Sequence, residues 1–338
     1  MNLDDFNPDS GAEDPRLLFG LPHGPEHARV VVIPVPFEAT TSYGHGTSNA
    51  PRRILATSVQ VDLRDDWVGE PWREGMAMLP IPKAIEALDA KARALIAERT
   101  EEGPPVDDAD RQRVETINAC GAQVNAWLRA QTDALFDQGR IPGALGGDHS
   151  ISFGAIEAAA ARVPGLGLLH IDAHADLREA YHGYTWSHAS ILFNVHERLD
   201  VPSIVSVGLR DYSPIEGRRL EESPRFHPFT DRQLAEHRLA GRPFSAFIDS
   251  ILAKLPEHIW ITFDVDGLDP TLCPNTGTPV PGGLRYDEVN VLLHRVASAR
   301  RIVGFDLTEV GDGEWDANVG ARLLYKLAGH AIHSQNRD

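Results

Sequence analysis

Short apolar runs alternate with amphipathic stretches along most of the chain. Ala28 to Val35 is apolar apart from Arg29, the pattern of a strand buried on both faces. Similar runs at Ile141–Leu145, Leu166–Ile171, Val201–Val207, His258–Phe263 and Ile302–Leu307 read as further strands. Between them the periodicity turns helical. A helix is predicted to begin near Pro51, because proline suits a first turn whose N–H has no partner. Others are predicted over Lys83–Thr100, Val114–Gln138, Ser150–Arg162, around Ser187–His196, within Asp231–Leu255, and over Tyr286–Ser298 and Asn318–Ala331. In the long central one, Ile117, Val124, Leu128 and Leu135 form one stripe. Thr40–Pro51 and Glu101–Asp110 read as loops, and residues 1–27 as an irregular arm. Strands alternating with helices predict a mostly parallel sheet covered on both faces, a three-layer α/β/α domain over residues 28–338 with no linker and no repeat.

Composition narrows the partners. The chain has 338 residues, 42% of them hydrophobic, enough for a large core, and a formal net charge of -17. That charge argues against nucleic acid or an anionic membrane surface and suits a cationic ligand. Cys120 and Cys273 are far apart and form no CxxC pattern, so neither a disulfide framework nor a thiolate zinc site is expected. The acidic N-terminal stretch lacks the basic start and apolar core of a signal peptide. No apolar run approaches the ~20 residues of a membrane span. A soluble, cytoplasmic protein is expected.

Three polar segments stand directly after predicted strands: Gly146-Gly147-Asp148-His149-Ser150, Asp172-Ala173-His174-Ala175-Asp176 and Asp264-Val265-Asp266-Gly267-Leu268-Asp269-Pro270. In a parallel sheet, residues just past the strand ends share one crevice. Two histidines and four aspartates can thus meet in one pocket. Four converging carboxylates repel one another unless protons or cations intervene. Two divalent ions would neutralise them, and an oxygen-rich set with two imidazoles suits Mn²⁺, with Ni²⁺, Co²⁺ or Zn²⁺ also able to bind. Taken singly, each motif has a plainer reading, such as Asp148 capping the helix that follows it.

Together with Ser187-His188-Ala189-Ser190, Thr276-Gly277-Thr278-Pro279, Gly282-Gly283-Leu284 and Thr308-Glu309-Val310, these segments resemble the arginase/agmatinase (ureohydrolase) family from about Val31 to Ala331. The resemblance implies an arginase-like α/β/α fold with about eight strands. It implies one ion held by His149, Asp172, Asp176 and Asp264, and a second by Asp172, His174, Asp264 and Asp266. A bridging hydroxide would attack a guanidinium carbon and release urea and an amine. Asp176 would relay the proton to the leaving nitrogen, His188 would exchange protons with solvent, and Glu309 would pair with the guanidinium. It also implies a trimer or hexamer. A catalytically silent relative would have lost ligands, whereas all six are present, as are His188 and Glu309. A single-zinc deacetylase-like site would lack the bridging Asp-x-Asp.

The substrate is read from two loops. Leu177–Trp186 lacks the Asn/Ser pattern with which arginases hold an amino acid head group, and its DLREAYxGxxxSHAS run resembles agmatinases. Agmatine, cleaved to putrescine and urea, is therefore the expected substrate. Arginine, free guanidine, guanidinobutyrate, guanidinopropionate and formimidoylglutamate are the alternatives. Arg178 is expected to pair with Glu179 or a neighbouring subunit rather than to read a substrate carboxylate. Ser42–Pro51, with His45, departs from the usual agmatinase loop. The segment with Asp65, Asp66, Trp67 and Trp72 is expected to cover a neighbouring subunit.

Overall fold

The computed structural model describes residues 6–9, 14–99 and 103–337. Within them one eight-stranded sheet runs in the order β2-β1-β3-β8-β7-β4-β5-β6. The strands are β1 (Val30–Val35), β2 (Met76–Met78), β3 (Ile141–Gly146), β4 (Gly167–Ile171), β5 (Ser203–Leu209), β6 (Phe226–Thr230), β7 (His258–Asp264) and β8 (Arg301–Thr308). Every adjacent pair is parallel. Six strands follow the apolar runs. The other two, β2 and β6, are the edges: one is three residues long, and the other carries His227 and Pro228 and is only partly buried.

Alternate residues of each strand feed two separate cores. Val30, Val32, Leu169 and Ile171 join one core with α1 (Ala50–Ser58), α7 (Asp231–Leu239), α8 (Phe244–Leu252), α9 (Tyr286–Ala299) and α10 (Glu314–Gln335). Val31, Ile33, Val35 and Leu168 join the other with α2 (Lys83–Ala97), α3 (Asp108–Asp137), α4 (Phe153–Arg162), α5 (Ile191–Arg198) and α6 (Pro214–Glu222). This produces the expected three layers.

Some boundaries move. Helix α3 starts inside the predicted 101–110 loop, because Asp107 caps it by accepting the Asp110 N–H at 2.7 Å and acidic residues favour the positive helix start. Glu101, Glu102 and Thr100 lie outside the described residues, as do parts of the predicted arm, residues 1–5 and 10–13. Leu18, Phe19 and Leu21 from that arm are buried against the first core. Trp72 and Asp65 are buried within their own chain, Asp65 accepting from Lys326 Nζ at 2.5 Å, while Trp67 lies against His294. The inner face of the 65–72 segment thus packs on α9 and α10, and Trp67 stays partly exposed on its outer side.

Candidate metal centre

The four central strands, β3, β8, β7 and β4, end side by side, and the polar segments leave from their C-terminal ends. Chain order jumps from β3 to β4 across β8 and β7, which opens a crevice of the kind where α/β proteins bind ligands. Gly147 makes the first turn possible. Its φ is +33°, and an added Cβ would stand 2.0 Å from the Phe37 carbonyl oxygen. Asp148 is the structural cap of its plainer reading: it accepts from Ser150 N at 3.0 Å and from Thr40 Oγ1 at 3.1 Å.

The six residues with metal-ligating chemistry come together. His149 Nδ1 lies 3.1 Å from Asp172 Oδ2, 3.2 Å from Asp176 Oδ2 and 3.5 Å from Asp264 Oδ2. His174 Nδ1 lies 3.0 Å from Asp266 Oδ2 and 3.5 Å from Asp172 Oδ1. Asp172 therefore faces both imidazoles, one with each oxygen. Asp264 touches the first group through His149, and its Oδ1 accepts the Asp266 N–H of the second at 2.8 Å. Burial alone would depress His149, but the carboxylates of Asp172, Asp176 and Asp264 outweigh it and hold the imidazole well above its ordinary value. Burial and the neighbouring Asp266 and Asp172 carboxylates push Asp264 well up, and burial followed by Asp172 raises Asp176 to about 6. Buried like charges of this kind call for cations. The donor set, carboxylate oxygens with imidazole nitrogens, fits divalent ions.

A polar row beneath the cluster, absent from the sequence reading, orients it. Ser206, His170, Thr262 and Asp306 are register neighbours on β5, β4, β7 and β8. Asp306 accepts from Trp260 Nε1 at 2.6 Å and from the Thr262 hydroxyl at 2.8 Å. With its proton so committed, Thr262 Oγ1 accepts from His149 Nε2 at 2.8 Å. Nε2 therefore keeps its proton, and Nδ1, which faces the three carboxylates, is the nitrogen left to exchange its proton for a divalent ion. His170 spans Ser206 Oγ at 3.0 Å and Asp172 Oδ2 at 2.9 Å, and is close enough to His149, Asp172 and Asp176 to be a further candidate ligand. A polar residue inside each otherwise apolar strand was the signal available for this row.

Glu309 follows β8 with a φ of +62°, and Asp176 has a φ of +51°, two of the four non-glycine residues with positive φ among the described residues. Such backbone costs about 1–3 kcal/mol per residue and tends to collect at functional sites. Glu309 Oε1 accepts the His149 N–H at 2.9 Å, while Oε2 is buried with no partner. Gly277 backs onto that oxygen, where a Cβ would come within 3.1 Å. Burial, then the Asp264 and Asp148 charges, raise Glu309 well above the usual carboxyl range. His188 lies over the cluster at the cavity floor. Its N–H donates to Thr40 Oγ1 at 3.2 Å, its Nε2 is 3.3 Å from Ser42 Oγ, and Tyr181 meets it edge-on. Burial and the neighbouring His174 lower it to about 4, so it rests neutral. Ser187 accepts the Ala189 N–H at 3.2 Å and caps this turn. His45 bonds Thr41 Oγ1 at 2.9 Å. Arg178 pairs with Glu216 at 3.7 Å instead of Glu179, which faces Arg219.

An α/β/α sheet with clustered aspartates and imidazoles at its central strand ends is the architecture of a metal-dependent hydrolase. The sequence model of the arginase family matches residues 28–332, and the chain belongs to that family. It is 32% identical over 317 residues to the N(1)-aminopropylagmatine ureohydrolase of Thermus thermophilus, covering 93% of this chain and 94% of the relative. It is 26% identical over 299 residues to the agmatinase of Bacillus cereus, covering 84% of each. The crystal structure of the agmatine ureohydrolase of Thermoplasma volcanium superposes with a TM-score of 0.72 at 26% identity over 94% of both chains. The chain is thus a ureohydrolase of the agmatinase-like kind, acting on C–N bonds of guanidino compounds.

Proposed function

We propose that this protein hydrolyses agmatine, or a polyamine bearing a terminal guanidine, to urea and the free amine. The observation that carries the reading is Glu309 Oε2, a buried acceptor with no partner beside the cluster. Unsatisfied buried oxygens are rare in native folds and call for an explanation. A planar guanidinium N–H matches this one with charge assistance. Its arrival would also draw Glu309 into its ionised form.

His149, Asp172, Asp176 and Asp264 would hold one divalent ion, and Asp172, His174, Asp264 and Asp266 the other, with Asp172 and Asp264 shared. Mn²⁺ suits the oxygen-rich set, and Ni²⁺, Co²⁺ and Zn²⁺ bind the same donors. When bound, the ion pair supplies a water made acidic near neutral pH. Glu309 turns the guanidinium carbon toward the cluster. Asp176, which faces His149 at 3.2 Å, would take up a proton and return it to the leaving amine nitrogen. His188, neutral at the cavity floor, passes protons to solvent.

The relatives' names support the substrate class. The resemblance further supports a single ureohydrolase domain over 28–338 behind the 1–27 arm, a trimer or hexamer, and a cytoplasmic setting. The test is urea release by the Mn²⁺-loaded and the Ni²⁺-loaded protein from agmatine, aminopropylagmatine, arginine, guanidinobutyrate, guanidinopropionate and free guanidine. Turnover of the amine-tailed compounds above the rest is expected. Preference for free guanidine or an acidic guanidine would overturn the substrate.

A further inference from the structure

We infer that the site selects substrates with a second, distal positive charge, and that Asp211 is the residue that binds it; this rests on the guanidino-hydrolase reading above. A cavity of about 290 Å³ opens over the cluster. His174, Asp176 and His188 form its inner part, and Arg178, Asp211 and Glu216 bring charge to its outer part.

These outer charges do not contribute equally. Glu216 is buried and fixed: it accepts from Leu177 N at 3.1 Å, from Ser213 N at 2.8 Å and from Ser213 Oγ at 2.7 Å. It holds Arg178 at 3.7 Å, and the Arg178 guanidinium lies over the Tyr181 ring at 4.8 Å. This pair cancels its own charge. A substrate carboxylate would have to compete with Glu216 for Arg178. Arg210, next in sequence to Asp211, is spent on carbonyls, donating to Gly208 O at 3.1 Å, Asp266 O at 2.6 Å, Leu268 O at 3.1 Å and Val280 O at 2.9 Å.

Asp211 is the group left over. Its backbone N–H donates to Ala173 O at 3.1 Å, and Asp211 bridges to His174, so it is pinned beside the cluster. Its carboxylate is exposed to the cavity and has neither an ion-pair nor a hydrogen-bond partner among the described residues. The mouth thus carries one uncompensated negative charge. An amine tail is attracted there, a neutral tail gains nothing, and a carboxylate tail is repelled. Tyr181 and Tyr212 line the same cavity and add apolar surface beside the methylenes between the two charged ends.

The experiment compares three guanidines with the metal-loaded enzyme: agmatine, n-butylguanidine (the same chain without the amine) and 4-guanidinobutyrate. Wild type and Asp211→Asn are measured at low and at high salt, with metal content recorded. Wild type is expected to favour agmatine over n-butylguanidine by about 10-fold or more, carried by KM. Asp211→Asn is expected to raise the agmatine KM about 10-fold at low salt, with kcat within about twofold. It should leave the n-butylguanidine KM in place and flatten the salt dependence, and Asp211→Glu should recover part of the loss. Equal use of agmatine and n-butylguanidine by wild type would overturn the inference. So would an Asp211→Asn effect shared by both substrates, or one accompanied by metal loss, which marks a structural role. Both results leave guanidine hydrolysis itself intact. Absence of urea from all three compounds, with metals bound, would instead overturn the hydrolase reading and this inference with it.

Discussion

Glu309→Gln tests the substrate contact with little change of shape. Glu309 Oε1 accepts the His149 N–H at 2.9 Å, and a glutamine carbonyl can keep that bond. The amide NH2 then replaces Oε2, the buried oxygen without a partner. It presents a donor to the donors of a guanidinium and removes the charge. A hydrogen bond to a charged group contributes about 1.5–3 kcal/mol. At ~1.36 kcal/mol per decade, kcat/KM for agmatine should fall about 10- to 160-fold. Glu309 is not among the proposed ligands, so metal content should hold. The assay is urea release at matched metal loading, with metal measured by mass spectrometry. A kcat/KM within threefold of wild type, with both ions bound, would refute the contact. Stability supplies a second readout. Burial, then Asp264 and Asp148, raise this carboxyl well above 4.5. Its contribution to the metal-free fold is therefore fully present below about 4.5 and is lost as pH rises through the raised folded value. The metal-stripped variant, which cannot ionise there, should lose less stability than wild type over that rise.

Asp172→Asn should reduce both sites, since Asp172 faces His149 and His174 together; metal per chain after dialysis should fall toward zero, and retention of two ions would remove Asp172 from the shared position. Asp89 is buried, and that burial raises it to about 6 from 3.8. Its stabilising contribution is present below about 3.8 and lost as pH rises through about 6, roughly 3 kcal/mol at ~1.36 per unit. Asp89→Asn, still accepting the Glu38 N–H, should therefore raise Tm at pH 8 and gain little at pH 4. Gly147→Ala places a Cβ 2.0 Å from the Phe37 carbonyl oxygen at a φ of +33°, so denaturant unfolding should show a loss above ~3 kcal/mol; a loss under ~1 kcal/mol would show that the turn relaxes.

What the sequence made legible follows the physics of each element. Central strands buried on both faces are continuous apolar runs, and six of them were found. Edge strands can be short or mixed, so the brief apolar run at Met76–Leu79 before Pro80 and the polar-interrupted Phe226–Thr230 were not read as strands. Helix α6 was missed because Pro214–Glu222 is polar almost throughout, although Ser213 and Glu216 form a capping box with proline in the first turn. At the site, the residues that follow strand ends stand out as polar motifs. His170, Thr262 and Asp306 lie inside strands, where one polar residue in an apolar run does not announce its neighbour across the sheet. Their function depends on register, which pairs His170 with Thr262 and Thr262 with Asp306. The partner of Arg178 was misread for a related reason: Glu216 is distant in sequence and reaches Arg178 only through the tertiary fold.

The central claim is that clustered aspartates and imidazoles beside Glu309 cleave a guanidine. Its most direct test is product identification after the Mn²⁺-loaded protein is incubated with agmatine. Urea and putrescine in equal amounts, with formation abolished by chelation and restored by the ion, is the predicted result. Two ions bound per chain with no urea released from agmatine or any other guanidine in the panel would contradict it.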